Sequence, residues 1–426
     1  MKNRTKRQKA IIKRRIFLSL ATIVLCILIG LIAFFAISVL SPDKKSGKNQ
    51  NNIAGPQNNS NTEQSDDIYV TVLSTGDIMV HQKQLDGAYD KDTKTYDFSP
   101  FFKEISPLLK KADLAVGNLE VSLGGTEGGA YRGYPSFNTP DSIVDAIKNA
   151  GFNFLTTANN HSHDAGLKGL IRTAQVLKEK GIDFVGTREN ENDNLYTVKN
   201  VGGIKIGMTN YTYGLNGANA SSVSQINSFD KTKLEAFYKD AEEKIAKMKE
   251  KGAEFIVFYM HWGTEYQTTP DTVQKTIAQK LSNLGVDIII GSHPHVIQPI
   301  DIIYSDDGQN TTVCAYSLGN AVSNQRVEEL GNQGHTEDGM LFYYTLCKKN
   351  GDVTLESVDV IPTWVDRYEG KNGYSYTIYP LIKDELSLDK YDLGTDATDS
   401  YKRTEAILKE SLTQVQMELG CKITFK

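Results

Sequence analysis

Apolar positions along this chain follow two rhythms. Residues 68–75 (IYVTVLST), 114–116, 152–157, 183–185, 255–260 (FIVFYM) and 286–290 are short, β-branched or aromatic runs that read as strands. Residues 101–111, 142–149, 167–180, 231–251 and 272–283 repeat at helical spacing instead, with Gly151, Gly181 and Gly252 where helices stop and Asp141 placed as an N-cap. Strand and helix signals alternate up to about residue 296, which predicts βαβ units and a largely parallel sheet covered by helices. Beyond Val296 the runs 300–304, 312–316, 341–347 and 353–360 follow one another with only polar turns between them, so these strands are expected to be antiparallel. The fold class is therefore α/β, with a βαβ first half and a more antiparallel second half spanning residues 67–365. Residues 366–426 form an extension with a helix expected around 399–420.

The first 66 residues follow neither rhythm. Residues 1–15 carry eight Lys/Arg and no acid, and residues 16–40 are 25 positions without a charge. That length spans a hydrocarbon core of ~30 Å. The segment reads as a retained transmembrane anchor, with a cleavable signal peptide as the alternative, Ala36-Ile37-Ser38 offering a cleavage site. Three lysines follow the segment against eight basic residues before it, which puts the N-terminus in the cytoplasm and the rest outside. Residues 41–66, rich in Asn, Ser and Gln with one large apolar residue, Ile53, read as a flexible tether.

Removing that segment changes the charge balance. Residues 67–426 hold 36 Lys/Arg against 49 Asp/Glu, a net of −13. Such a domain is a poor general binder of nucleic acid or any other polyanion. The four cysteines show no CxxC or metal-finger spacing, and a disulfide framework is not expected.

The chemistry-bearing residues lie directly after the strand-like runs: Gly76-Asp77, Gly117-Asn118-Leu119-Glu120, Asn159-Asn160-His161, His261-Trp262-Gly263 and Gly291-Ser292-His293-Pro294-His295. Open α/β sheets bind ligands at the carboxyl ends of their strands, so these groups should meet at one site. Asp77, Glu120 and Asn160 offer oxygen, and His261, His293 and His295 offer imidazole nitrogen. Such a mixed set suits Mn, Zn or Fe better than Ca or Mg. A carboxylate such as Glu120 can bridge two cations, and two divalent ions are expected here. On an extended segment His293 and His295 would point to one face. His161, beside Asn160, is placed to act as a general acid, with Asp164 either orienting it or capping the next helix. His81 is ambiguous as a ligand, and His335 reads as simply exposed.

The order of these motifs resembles the calcineurin-like metallophosphoesterase superfamily and, within it, the CapA (PgsA) family of bacterial capsule and poly-γ-glutamate synthesis proteins. The resemblance rests on GDIMV (76–80), GNLE (117–120), ANNHSHDAG (158–166), HWGTEY (261–266), GSHPHVIQPI (291–300) and YSLGN (316–320). It implies a metallophosphoesterase-like layered α/β sandwich and a dinuclear site of Asp77, Glu120, Asn160, His261, His293 and His295, with His161 as proton donor. Asn118, Glu265, Tyr266, Ser317 and Asn320 would line the pocket. Two departures stand out: Met79 occupies the third position of an Asp-x-His motif, and Gly-Asn-Leu-Glu replaces Gly-Asp-x-x-Asp. One imidazole is thereby missing, unless His81 or water takes its place. The resemblance also implies an extracellular, membrane-anchored component that works with a membrane-bound polymer ligase and export partners on an anionic polymer. A metal-dependent hydrolase acting on a phosphoester of the cell envelope, or a metal-held domain without turnover, remain as alternatives.

Overall fold

The computed structural model describes residues 67–331, 333–382, 393–419 and 422–425. The expected cytoplasmic tail, anchor and tether lie outside the described residues. Among the described residues no helix is long and apolar enough to cross a membrane.

The strands form two large sheets rather than one. The first has the order β16-β15-β14-β1-β4-β5-β6, with β13 pairing β1 and β17 pairing β15. Its strands are β1 (Ile68–Ile78), β4 (Leu114–Leu119), β5 (Phe154–Thr156), β6 (Asp183–Val185), β13 (Asn320–Val322), β14 (Asp338–Lys349), β15 (Asp352–Glu369), β16 (Tyr374–Pro380) and β17 (Lys422–Phe425). The second runs β11-β12-β10-β9-β8-β7, built from β7 (Tyr196–Val201), β8 (Ile204–Thr212), β9 (Phe255–His261), β10 (Ile288–Ser292), β11 (Ile300–Tyr304) and β12 (Thr311–Ala315). A small hairpin, β2 (Tyr89–Asp90) with β3 (Thr95–Tyr96), stands apart. Pairs β1–β4–β5–β6 and β8–β9–β10–β12 are parallel, as the βαβ rhythm predicts. β14–β15–β16 and β11–β12 are antiparallel, as the late strands predict.

The period of two along each strand assigns its side chains to different layers. Val70 and Val72, Leu114 and Val116, Ile206 and Met208, Val257 and Tyr259, Ile288 and Ile290, and Phe342 and Tyr344 face a common core between the sheets. Their neighbours Leu73, Ala115 and Leu155 face the outer core of the first sheet, shared with Ile143 and Ile147 of the Ser142–Ala150 helix. Ile256, Phe258 and Ile289 face the outer core of the second, under the Leu234–Glu250 and Thr272–Asn283 helices. The layers are helix, sheet, sheet, helix. Leu408 and Leu412 of the Gly394–Leu419 helix join the inter-sheet core, and β15 runs through position 366, so residues beyond 365 share that core and sheet.

Several local expectations fail for identifiable reasons. The helix expected over 101–111 is two short turns, Ser99–Phe102 and Ser106–Leu109, each with a proline near its start. Pro107 has no N–H to continue an earlier helix. Asp141 does stand at the N-cap of the Ser142–Ala150 helix, but its carboxylate makes no capping bond and instead takes two from Arg172 at 2.6 and 2.7 Å. The β7–β8 hairpin was not anticipated at all.

Residues 316–320 carry the chain from the second sheet to the first, and they do so in backbone contact with both. The Leu318 N–H donates to Gly291 O at 3.2 Å, the Asp77 N–H to Gly319 O at 3.2 Å, and the Met340 N–H to Leu318 O at 3.1 Å. A Cβ on Gly76 would lie 1.8 Å from Gly319 O, and one on Gly291 would lie 1.8 Å from Tyr316 O. Only glycine allows these approaches. Each glycine directly precedes, or lies two residues from, a metal-capable side chain. Gly76→Ala should therefore cost about 1–3 kcal/mol of stability, the usual penalty for overpacking, and should also lower metal content by shifting Asp77. Thermal unfolding and metal analysis on the same preparation check both effects; an unchanged melting temperature would remove the steric claim.

Candidate metal centre

Parallel strands from both sheets end at one place. The first sheet delivers Asp77 at the end of β1, Glu120 directly after β4, and Asn160 and His161 past β5. The second delivers His261 as the last residue of β9, and His293 and His295 directly after β10. All seven are at most 3% exposed.

Two groups have ligand atoms within 4.8 Å of one another: Glu120 with His293 and His295, and Asp77 with Glu120 and His261. Glu120 belongs to both. Neither of its buried oxygens has a hydrogen-bond partner among the described residues, and neither has the buried His293 Nδ1. His261 Nε2 stands 3.4 Å from Glu120 Oε1, and His295 Nε2 stands 4.0 Å from it. A buried carboxylate without hydrogen bonds is costly, so this donor set fits a cation.

Other side chains hold the donors in place. Asn118 Nδ2 donates to Asp77 Oδ1 at 2.7 Å, and the His293 N–H donates to Asp77 Oδ2 at 3.1 Å. Asn118 Oδ1 accepts from Thr156 Oγ1 at 3.2 Å. His261 Nδ1 lies 2.8 Å from Ser292 Oγ, and its Nε2 lies 2.7 Å from Asn160 Oδ1. His295 Nδ1 lies 2.9 Å from Asn320 Oδ1. Such partners fix ring orientation and tautomer at metal sites.

His293 and His295 are not on an extended segment. Their φ values are +95° and +57°, with Pro294 between them. Left-handed backbone at non-glycine residues costs of order 1–3 kcal/mol each and concentrates at functional sites. The two imidazoles converge through this turn, with ring centroids 5.9 Å apart, and not through strand alternation.

Burial and charge push the titrations apart. Burial alone would raise Asp77, but its hydrogen bond to His295, the charges of His295 and His261 and the Asn118 amide hold it below the usual carboxylate range. Burial, reinforced by the charge of Asp77, drives Glu120 well above that range. Burial takes His261 down to about 3 and His293 well below the ordinary histidine value. Burial thus favours the neutral, lone-pair-donating form of His261 and His293.

His161 stands beside the cluster. Its Nδ1 lies 2.7 Å from Asp164 Oδ2, and that oxygen also accepts the Phe137 N–H at 2.7 Å. Asp164 does not cap the following helix, which starts at Gly166 behind Ala165. His81 belongs to neither metal-capable group. It is the N-cap of the Gln82–Ala88 helix and meets Gln84 and Asn324 through Nδ1. Met79 is a core residue, 1% exposed. Glu265 is exposed at the rim, while the half-buried Tyr266 donates its backbone N–H to Pro294 O at 2.8 Å. Ser317 is committed to the backbone, donating to Val296 O at 2.8 Å and accepting from the Gly319 N–H at 3.2 Å. His335 is paired with Glu337 at 3.1 Å, though partly exposed.

Residues 71–325 match the family described as bacterial capsule synthesis protein PGA_cap. The chain belongs to that family. It is 31% identical over 300 residues to the capsule biosynthesis protein CapA of Bacillus anthracis, covering 69% of this chain and 67% of the relative. It is 29% identical over 328 residues to the PGA biosynthesis protein CapA of Bacillus subtilis (strain 168), covering 76% of each. Among solved structures, the calcineurin-like phosphoesterase YfkN from Bacillus subtilis aligns with 80% of this chain and 98% of its own, at 16% identity and a TM-score of 0.38, too distant to bear on function.

In this PGA_cap member, β8 brings residues to the site that the sequence reading passed over. Tyr213 follows it, with its ring 4.6 Å from that of His293 and stacked 6.5 Å from that of His261. Asn216 Nδ2 lies 3.4 Å from His161 Nε2. The alternating run IKIGMTNYT, followed by Tyr213-Gly214, carries the same strand-then-polar signature as the other motifs, but without a histidine or acid to mark it.

The raised Glu120 carboxyl makes a signed prediction. In metal-free protein it favours the fold while protonated, below the unfolded carboxylate range, and that stability is lost as pH rises through its elevated folded value. Glu120→Gln should therefore raise the melting temperature of chelated protein at neutral pH and flatten its decline with pH. Added divalent metal should stabilise the wild type but not the variant. A variant that melts lower than wild type in chelator at neutral pH would contradict the assigned burial cost.

Proposed function

We propose that this protein acts in the synthesis of an anionic capsule polymer of the poly-γ-glutamate type, through a dinuclear metal centre that Glu120 and its neighbouring donors would hold. The observation that carries the reading is the buried Glu120 carboxylate, without a hydrogen bond among the described residues and shared by two three-residue donor groups. Membership of PGA_cap supplies the capsule context. The charge-free stretch at 16–40 and the basic residues before it support an anchor with the catalytic domain outside the membrane, beside a polymer ligase and export partners.

Asp77, Glu120, Asn160, His261, His293 and His295 would hold the ions, and the mixed O/N donors suit Mn, Zn or Fe. When bound, a pair of divalent cations supplies Lewis acidity and positive charge for attack at a phosphoryl or acyl centre. The chain's own residues supply the rest. Asn118, Ser292 and Asn320 keep Asp77, His261 and His295 oriented. The near-complete burial of the donors keeps competing solvent from them. His161, held by Asp164 through Nδ1, presents its Nε2 as the proton donor to a leaving atom.

Metal analysis of the purified protein is the first test. Close to two transition-metal ions per chain are expected, and an Asp77→Ala/His293→Ala double variant should lose most of them. Wild type containing no transition metal after chelator-free purification would end the dinuclear reading.

The polymer reading is tested with a γ-linked glutamate oligomer. A domain of net −13 repels such a chain, so contact should depend on metal. Binding that survives chelation would contradict this.

A metal-dependent phosphoesterase is the second reading, favoured by the His161–Asp164 pair beside the donors. With an aryl phosphodiester as probe, His161→Ala should cut turnover about 10²–10⁴-fold while metal content stays constant. Unchanged turnover would remove the role assigned to His161.

A further inference from the structure

The face of the donor cluster formed by the second sheet carries a cation to which the metal chemistry assigns no role. Lys231 lies on the turn between the end of β8 and the Leu234–Glu250 helix. The Phe229 N–H donates to Thr212 O at 2.9 Å, and Asp230 Oδ1 closes the next turn by accepting the Thr232 N–H at 2.8 Å. The side chain is held at two points. Its Nζ donates to Gly263 O at 2.8 Å, two residues beyond His261, and sits 3.9 Å above the Tyr213 ring. That ring in turn lies 4.6 Å from the ring of His293, and the Tyr213 N–H donates to His261 O at 3.1 Å. The ammonium is therefore attached to the same strand ends that carry the donors.

Among the described residues Lys231 forms no ion pair. Burial pulls its ammonium below the ordinary lysine range, and Asp271 opposes this only through space. Its charge nevertheless reaches His261 and His293, depressing both imidazoles. A half-buried cation that has lost hydration without gaining a carboxylate is a poor structural element in a domain of net −13. It is well suited to meet an anion.

We infer that Lys231 and Tyr213 form an anion subsite beside the metal-capable cluster, which takes a carboxylate or phosphate group of the substrate next to the reacting bond. This rests on the proposed function for the meaning of "substrate", but not for the existence of the subsite. One ammonium proton is used by Gly263 O and another side of the ammonium faces the Tyr213 ring, which leaves donor capacity for a ligand. The aromatic face keeps the ammonium from swinging away. In a polymer with a repeating anionic unit, the unit next to the one at the metals would supply this group.

Lys231→Met keeps most of the aliphatic stem over Tyr213 and removes the charge; Lys231→Arg keeps the charge. The experiment is calorimetric titration of metal-loaded wild type and both variants with a γ-linked glutamate oligomer and, separately, with inorganic phosphate, with metal content and melting temperature read on the same samples. Loss of a charge-assisted bond should weaken binding about tenfold or more in Lys231→Met, with Lys231→Arg near wild type and metal content unchanged. Weakening confined to the oligomer assigns the subsite to carboxylate, and weakening confined to phosphate assigns it to a phosphoryl group. Equal affinity of wild type and Lys231→Met for both probes overturns the inference, as does failure of wild type to bind either. A wild type without metal that still binds an anion in a Lys231-dependent way would overturn the dinuclear reading and leave the subsite standing.

Discussion

Backbone-to-backbone contact between residues 316–319 and the glycines at 76 and 291 is the constraint on which the site depends. Two sheets packed face to face need only a common apolar core, and many relative displacements would bury similar area. The donors tolerate far less. Glu120 comes from one sheet and His261, His293 and His295 from the other, so a small slip between sheets would separate the two halves. Hydrogen bonds from Asp77 and Leu318 to the Gly319 and Gly291 carbonyls fix that register, and the missing side chains at positions 76 and 291 permit the approach. Asn210 adds a second tie, its Oδ1 accepting from the Thr157 and Ala158 N–H groups of the first sheet's loop while its Nδ2 donates to Tyr259 O of the second.

The same closeness explains why the site is energetically unfavourable as bare protein. Two carboxylates and three imidazoles share a volume with almost no exposure, and burial pushes Glu120 up while His295 and His261 hold Asp77 down. Left-handed backbone at His293 and His295 adds strain of order 1–3 kcal/mol per residue. Neither cost stabilises the fold. The inter-sheet core offsets both, and its alternating pattern from Val70 to Leu346 continues without a break in packing.

Much of this was legible in the sequence, and the exceptions have physical causes. Asp77, Glu120, Asn160, His261, His293 and His295 could be placed together because each follows a strand-like run, and parallel strands end on the same side. The signal was local and the topology did the rest. Residues 196–212 escaped because their alternation is half polar and ends without an acid or histidine. With them went Tyr213, Asn216 and the setting of Lys231. The division into two sheets escaped because period two assigns a residue to a face but not to a sheet; β12 and β13 lie five residues apart in sequence and belong to different ones. The turn at 293–295 escaped because His-x-His spacing fits an extended strand equally well.

The two departures in the first motifs become intelligible together. Met79 lies in the outer core of the first sheet, its N–H donating to Val322 O at 2.9 Å, and His81 is occupied at the start of a helix. No imidazole among the described residues replaces the one that position 79 lacks. Position 118, an amide here, is no longer a donor to the cluster's interior. Its Nδ2 is committed to Asp77 and its Oδ1 to Thr156, so it braces a carboxylate in place of being one. The remaining acid at 120 is a glutamate, one methylene longer than aspartate, and it reaches both donor groups. A centre that loses one imidazole and one carboxylate at its margins can still present three donors to each of two positions, provided its central carboxylate is shared. That sharing, and not the number of histidines, is what lets one cluster offer two groups of three donors.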